Sequence, residues 1–145
     1  MPDIDWTDGS QHVTPHFTVK DCLLLRNWGR LATEDDGVDL DKILATAQMM
    51  EKVRAALGCP INVHCMFRSK DYNIEQKILL PTGNDVHAQS LACDFDCNST
   101  MSIQEVKDKL EPLLGQLGIR MERGTTSWVH CDSRAPGPSG RYFTP

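Results

Sequence analysis

The stretch "NDVHAQSLACDFD" covers residues 84–96, and its reading decides the fold. His87 and Asp94 are separated only by small or apolar residues and one glutamine. The second half alternates as a strand does: Ala92, Asp94 and Asp96 share one face, and Cys93 and Phe95 share the other. A later run, "SWVHCDSR" at 127–134, has the same form. Trp128, His130 and Asp132 fall on one face, with Val129 and Cys131 opposite. If the two strands pair in register, Asp94 and His130 open onto one cleft. Cys93 and Cys131 then pack behind, toward helices.

Working outward, "INVHCMF" (61–67) is a third strand, and "IRMER" forms a hairpin with "SWVHCDSR" around "GTT". The clearest helix follows Asp39. Leu40, Ile43, Leu44, Ala47, Met50 and Leu57 keep a helical period, Asp39 caps the start, and Gly58 with Pro60 stops it. A helix is predicted over 19–31, capped by Thr18 with Asp21 three residues later. "SKDYNIEQKILL" reads as a short helix or turn. Ser102 and Glu105 form a capping box, with Met101 and Val106 as a staple, and Pro112 kinks or restarts the helix that Gly118 ends. Segments 33–38 and 81–85 read as loops. Residues 1–12 form an irregular lead-in continuing to about residue 16, and 135–145 an irregular tail. The order of elements predicts one α+β domain over 1–145, with a mainly antiparallel sheet and helices on one of its faces.

Composition excludes several classes. The 145 residues are 24% charged and 40% hydrophobic, which suits one globular domain with a real core. Net charge is −5, and Lys and Arg are scattered, so a nucleic-acid partner is not expected. No run approaches the ~20 apolar residues of a membrane span. The acidic start "MPDIDWTDGSQHV" lacks the form of a secretory signal, so synthesis in a cytoplasm is expected, with delivery to any external target left to another agent. The six cysteines include no C-x-x-C pair and read as buried free thiols. A monomer is expected.

The chemistry-bearing residues are His87, Asp94 and His130. Two imidazoles and a carboxylate suit Zn²⁺, and a catalytic site uses three protein ligands with one position left open. Taken singly, a histidine in a strand is ordinarily a structural residue. The runs "FRSKDYN" (67–73), "HAQSLACD" (87–94) and "WVHCD" (128–132) carry more weight together. They resemble the zinc D-alanyl-D-alanine carboxypeptidase and peptidoglycan endopeptidase family, in its branch of small catalytic domains that includes phage endolysins. That family's metal motif is H-x-x-G-x-A-x-D followed by a distant strand histidine. His87, Ala92 and Asp94 fit, while Ser90 stands where glycine is usual. "VTPHFTVKDCL" and "PINVHCMFRSKDYN" also look like the family's start, so the resemblance covers roughly residues 13–143.

The resemblance implies a hedgehog/DD-peptidase-like fold, Zn²⁺ on His87, Asp94 and His130, and a peptidoglycan stem peptide as substrate. The scissile link would be D-Ala–D-Ala or L-Ala–D-Glu. Arg68, followed by Ser69, matches the arginine that binds substrate carboxylate or the developing oxyanion, a role suited to a permanently charged donor fork. Apart from the resemblance, Trp128 reads either as lining the substrate groove or, equally, as core packing. The departure concerns the general base. Many family members carry Glu or Asp three residues before the last histidine, and that position is Ser127. Glu122, across the hairpin, and Asp132, about 7 Å beyond His130 by strand rise, are the substitutes. Asp132 is equally suited to orienting His130. The alternative is a metal-containing binding module on the same fold, with weak or no catalysis.

Overall fold

The computed structural model describes residues 3–78 and 85–144. It opens with strand β1 (His12–Thr14), paired antiparallel with β2 (Phe17–Thr18). The lead-in is therefore ordered into a ribbon from His12 onward. Helix α1 (Val19–Leu23) starts at a true capping box between Thr18 and Asp21. It stops far short of residue 31, because Leu24 turns extended. Leu24–Leu25 becomes β3, which pairs with β4 (Arg30–Leu31) across a 3-10 turn closed by Gly29 in the left-handed region. The apolar triplet Leu23-Leu24-Leu25 fits a helix by composition, but here it bends back to bury Leu23 and Leu25. Segment 33–38, expected as a loop, contains a 3-10 turn over Glu34–Asp36, boxed by Thr33 and Asp36.

Helix α2 (Leu40–Leu57) has the predicted limits, with Asp39 accepting from the Lys42 amide and Gly58 left-handed at the end. Strand β5 (Asn62–Cys65) and helix α3 (Lys70–Glu75) follow. Next come strand β6 (Ala92–Asp96) and helix α4 (Ile103–Leu110), opened by the Ser102–Glu105 capping box. Pro112 sits in a 3-10 turn, after which a short α5 (Leu114–Leu117) runs to Gly118. The hairpin is β7 (Arg120–Glu122) and β8 (Val129–Asp132). The tail is not wholly irregular: Tyr142–Phe143 forms β9 and pairs parallel with β7. The loop 81–85 lies outside the described residues except for Asp85.

The main sheet has the order β5-β6-β8-β7-β9 and is antiparallel apart from the β7–β9 pair. This is a mixed α+β architecture with a mostly antiparallel sheet. Cys93, Phe95, Met121, Val129 and Cys131 are fully buried in one core with Ile43, Ala47, Met50 and Val53 of α2 and Val106 and Leu110 of α4. All six cysteines are free, and five of them are buried. The register pairs Asp94 with His130 and Cys93 with Cys131. That alternation puts the thiols among the core side chains and the ligand-type residues on the other face. Buried Lys107 of α4 donates to the Thr125 carbonyl at 2.5 Å, tying the β7–β8 connection to the helix. Among the described residues, no helix is long and apolar enough to cross a membrane.

Candidate metal centre

His87 lies in the turn before β6. Ser90 fixes that turn to α2: its Oγ accepts from the Asp39 amide at 3.1 Å, and its carbonyl accepts from Thr46 Oγ1 at 2.7 Å. Asp94 and His130 are directly opposite on paired strands. One ligand-type atom from each of the three residues lies within 4.8 Å of the other two. His87 Nε2 stands 3.2 Å from Asp94 Oδ2, and His130 Nδ1 stands 2.8 Å from Asp94 Oδ1.

The outward-facing ring nitrogens decide the chemistry. His87 Nδ1 donates to the Met66 carbonyl at 2.7 Å, and His130 Nε2 donates to Asp132 Oδ2 at 2.9 Å. A carbonyl only accepts, so His87 Nδ1 carries its proton; His130 meets a carboxylate at each nitrogen, and with a cation at the triad the proton goes to Nε2, facing Asp132. That arrangement aims the lone pairs of His87 Nε2 and His130 Nδ1 at the Asp94 carboxylate. Two lone pairs and an anion at one point repel unless protons or a cation lie between them. Burial works against charge on both imidazoles. Even so, Asp94 beside His87, and Asp132 with Asp94 beside His130, hold both pKa values above the usual imidazole range. Burial likewise opposes ionisation of Asp94, and His87 and His130 still hold its carboxyl below the usual range. The donor set therefore fits a divalent cation, with each imidazole oriented by a partner behind it.

The triad opens into a cavity of about 480 Å³ lined also by Arg68, Asp85, Glu122 and Trp128. Arg68 donates to Asp85 Oδ2 at 2.8 Å. Asp85 also accepts from Asn73 and from the Ala88 amide, so it holds the loop ahead of His87. Trp128 is 37% exposed, one of two large apolar side chains that are exposed among the described residues. Glu122 follows the register that pairs Arg120 with Asp132 and Met121 with Cys131, which brings it alongside His130. Among the described residues its carboxylate makes no hydrogen bond or close ion pair, though its charge acts on Lys107.

Three residues stand apart from their expected places. Ser69 is buried and spends its hydroxyl capping α3 through the Tyr72 amide at 3.0 Å, and it does not line the cavity. Asp132 is fully buried and accepts two bonds from Arg120, each 2.8 Å, besides that from His130. Burial opposes its ionisation, but His130 and Arg120 bring its pKa down to about 2. A carboxylate so engaged is a holder of His130, not a free base. Ser127 borders a different cavity with Asp96 and Ser102. His64 pairs with Asp96, and His16 with Glu51 at 2.7 Å, so neither histidine reaches the triad.

Arg120, Arg134 and Phe143 also line the cavity, and the sequence did not single them out. Arg120 shares a strand face with Glu122, so alternation could have found it. Arg134 and Phe143 reach the cavity through a turn and a tail strand that carry no such signal. The site thus defines a candidate metal centre on an α+β sheet. No family model matches the chain, and no curated protein or solved structure matches it.

Proposed function

We propose that the chain is a zinc-dependent peptidase acting on peptidoglycan stem peptides, of the D-Ala–D-Ala carboxypeptidase or L-Ala–D-Glu endopeptidase type. The observation that carries this reading is the convergence of His87 Nε2, Asp94 and His130 Nδ1, with both outer ring nitrogens already engaged. An ion bound there supplies Lewis acidity, polarising a carbonyl and acidifying a water. Glu122 is the carboxylate left to accept a proton from the attacking water and return it to the leaving amine. Arg68 keeps part of its donor fork for substrate charge, and Trp128 offers an apolar wall.

One observation favours a second reading. Ser127 leaves the position usual for the base without a carboxylate, as a non-catalytic peptide-binding module would. Metal analysis and digestion separate the two. Under the peptidase reading, purified protein carries about one zinc per chain and His87→Ala loses it. Zinc-loaded protein then releases fragments from stem peptides, seen by mass spectrometry, and Glu122→Gln keeps the metal but stops turnover. Full zinc retention in His87→Ala would refute the ligand set. Peptides bound but never cut would establish the binding module.

A further inference from the structure

The six free thiols are not evenly placed. Cys59 and Cys97 lie in the same core and are 6% and 1% exposed. Register makes their backbones neighbours. Asn62 pairs with Asp96 in the antiparallel β5–β6 ladder, so the chain ahead of Asn62 runs beside the chain after Asp96. Cys59 follows Gly58, the left-handed end of α2, and precedes Pro60. Cys97 follows β6 and bridges Met101. The two thiols meet there, hydrogen-bonded to each other.

Both positions are held by their surroundings. Lys109 of α4 donates to the Leu57 carbonyl at 3.0 Å, just ahead of Cys59. The Thr100 amide donates to the Cys97 carbonyl at 3.1 Å. Burial first, and then the Cys59 thiol beside it, push the Cys97 thiol up to about 12, so Cys97 is a poor first nucleophile. Cys59, the less buried of the two, is the sulfur a reagent meets first. The segment between them carries β5, α3, His87 and Asp94. A link at its ends would therefore close a loop that holds two of the three ligand-type residues.

We propose that Cys59 and Cys97 are a latent disulfide site, joined by exchange with a small-molecule disulfide, and that the link braces the ligand-bearing segment of the fold. The Cys59 thiolate attacks one sulfur of the small disulfide and expels its other half as a thiolate. The Cys97 sulfur then attacks Cys59 in that mixed disulfide, forming the Cys59–Cys97 bond and expelling the second half. The protein gives up two protons and two electrons, and the small disulfide leaves as two thiols. A reducing setting keeps the site open, and an oxidising one closes it. The link removes conformations from the unfolded chain, so the folded state gains stability. Neither the metal nor the peptidase reading enters this argument.

Hydroxyethyl disulfide is the probe. The full chain is incubated with it while folded and, separately, refolded from urea in its presence. Remaining thiols are alkylated, and the peptides are mapped by mass spectrometry without reduction. By both routes the main product should be a peptide pair linked through Cys59 and Cys97, about 2 Da lighter than the two reduced peptides together. The oxidised chain should melt roughly 5–10 °C above the same chain after reduction. Cys97→Ser should give neither the link nor the rise, and should leave Cys59 as a mixed disulfide with the probe. If that variant does not fold, the wild-type map and melting shift decide alone. Cys59 and Cys97 recovered as alkylated thiols after either route overturn the site. So does a link between Cys93 and Cys131, which also face each other in register, formed in its place. A linked chain that melts no higher than the reduced one overturns the brace.

Discussion

Ser90 has φ 64°, in the left-handed region that L-residues other than glycine rarely occupy. Glycine would occupy this conformation without strain. Serine is tolerated because its hydroxyl accepts the Asp39 amide at 3.1 Å. Strain of about 1–2 kcal/mol is set against a bond worth about 1 kcal/mol. Ser90→Gly should therefore change stability by less than about 1 kcal/mol. Ser90→Ala keeps the strain and loses the bond, so it should cost about 1–2 kcal/mol. Urea denaturation of the two variants checks this, and a Gly variant less stable than the Ala variant would refute it. Asp132 acts on the metal side through His130. Asp132→Asn weakens the hold on His130, so zinc affinity should fall about 10–100-fold in competition with a chelating dye. Asp96→Asn, on the same face of β6 but paired with His64, should leave that affinity unchanged.

At the scale of elements, capping and periodicity were legible. Helix α2 and the starts of α1 and α4 come from caps whose partners lie within three residues, so local sequence carries the whole signal. The end of α1 was not legible, since burial of Leu25 against the core is a tertiary effect. Strand β9 was hidden by the Pro/Gly composition of the tail. Its side chains explain it: Arg120 lies 4.0 Å over the Phe143 ring, and Arg123 lies 4.0 Å over Tyr142. Phe143→Ala should remove that stacking and its packing against His130, at about 2 kcal/mol. The melting temperature would then fall by roughly 5–8 °C, read by circular dichroism. A shift under about 1 °C would mean that β9 is ornamental.

For the whole molecule, the three ligand-type residues come from one turn and two strands, and sequence order alone brought none of them together. The strand alternation of 91–96 and 128–132 nonetheless placed Asp94 and His130 on one face, as the register has it. What stayed illegible was which carboxylate is spoken for, because the Arg120–Asp132 contact depends on register across the hairpin. A cation bound to the folded chain alone stabilises it by mass action, by about 2.7 kcal/mol at a hundredfold excess over Kd. Chelation should therefore lower the melting temperature by roughly 5–10 °C. His87→Ala should show no such drop, and equal chelator sensitivity in wild type and variant would contradict the centre.

The strand order β5-β6-β8-β7-β9 has one more consequence. β7 leaves the ribosome before β8, yet β8 is the strand that separates it from β6. In the main sheet β7 is bonded on the β6 side to β8 alone, so it joins that side only through the β7–β8 hairpin. The hairpin therefore carries the last imidazole, His130, to a turn and strand that hold His87 and Asp94.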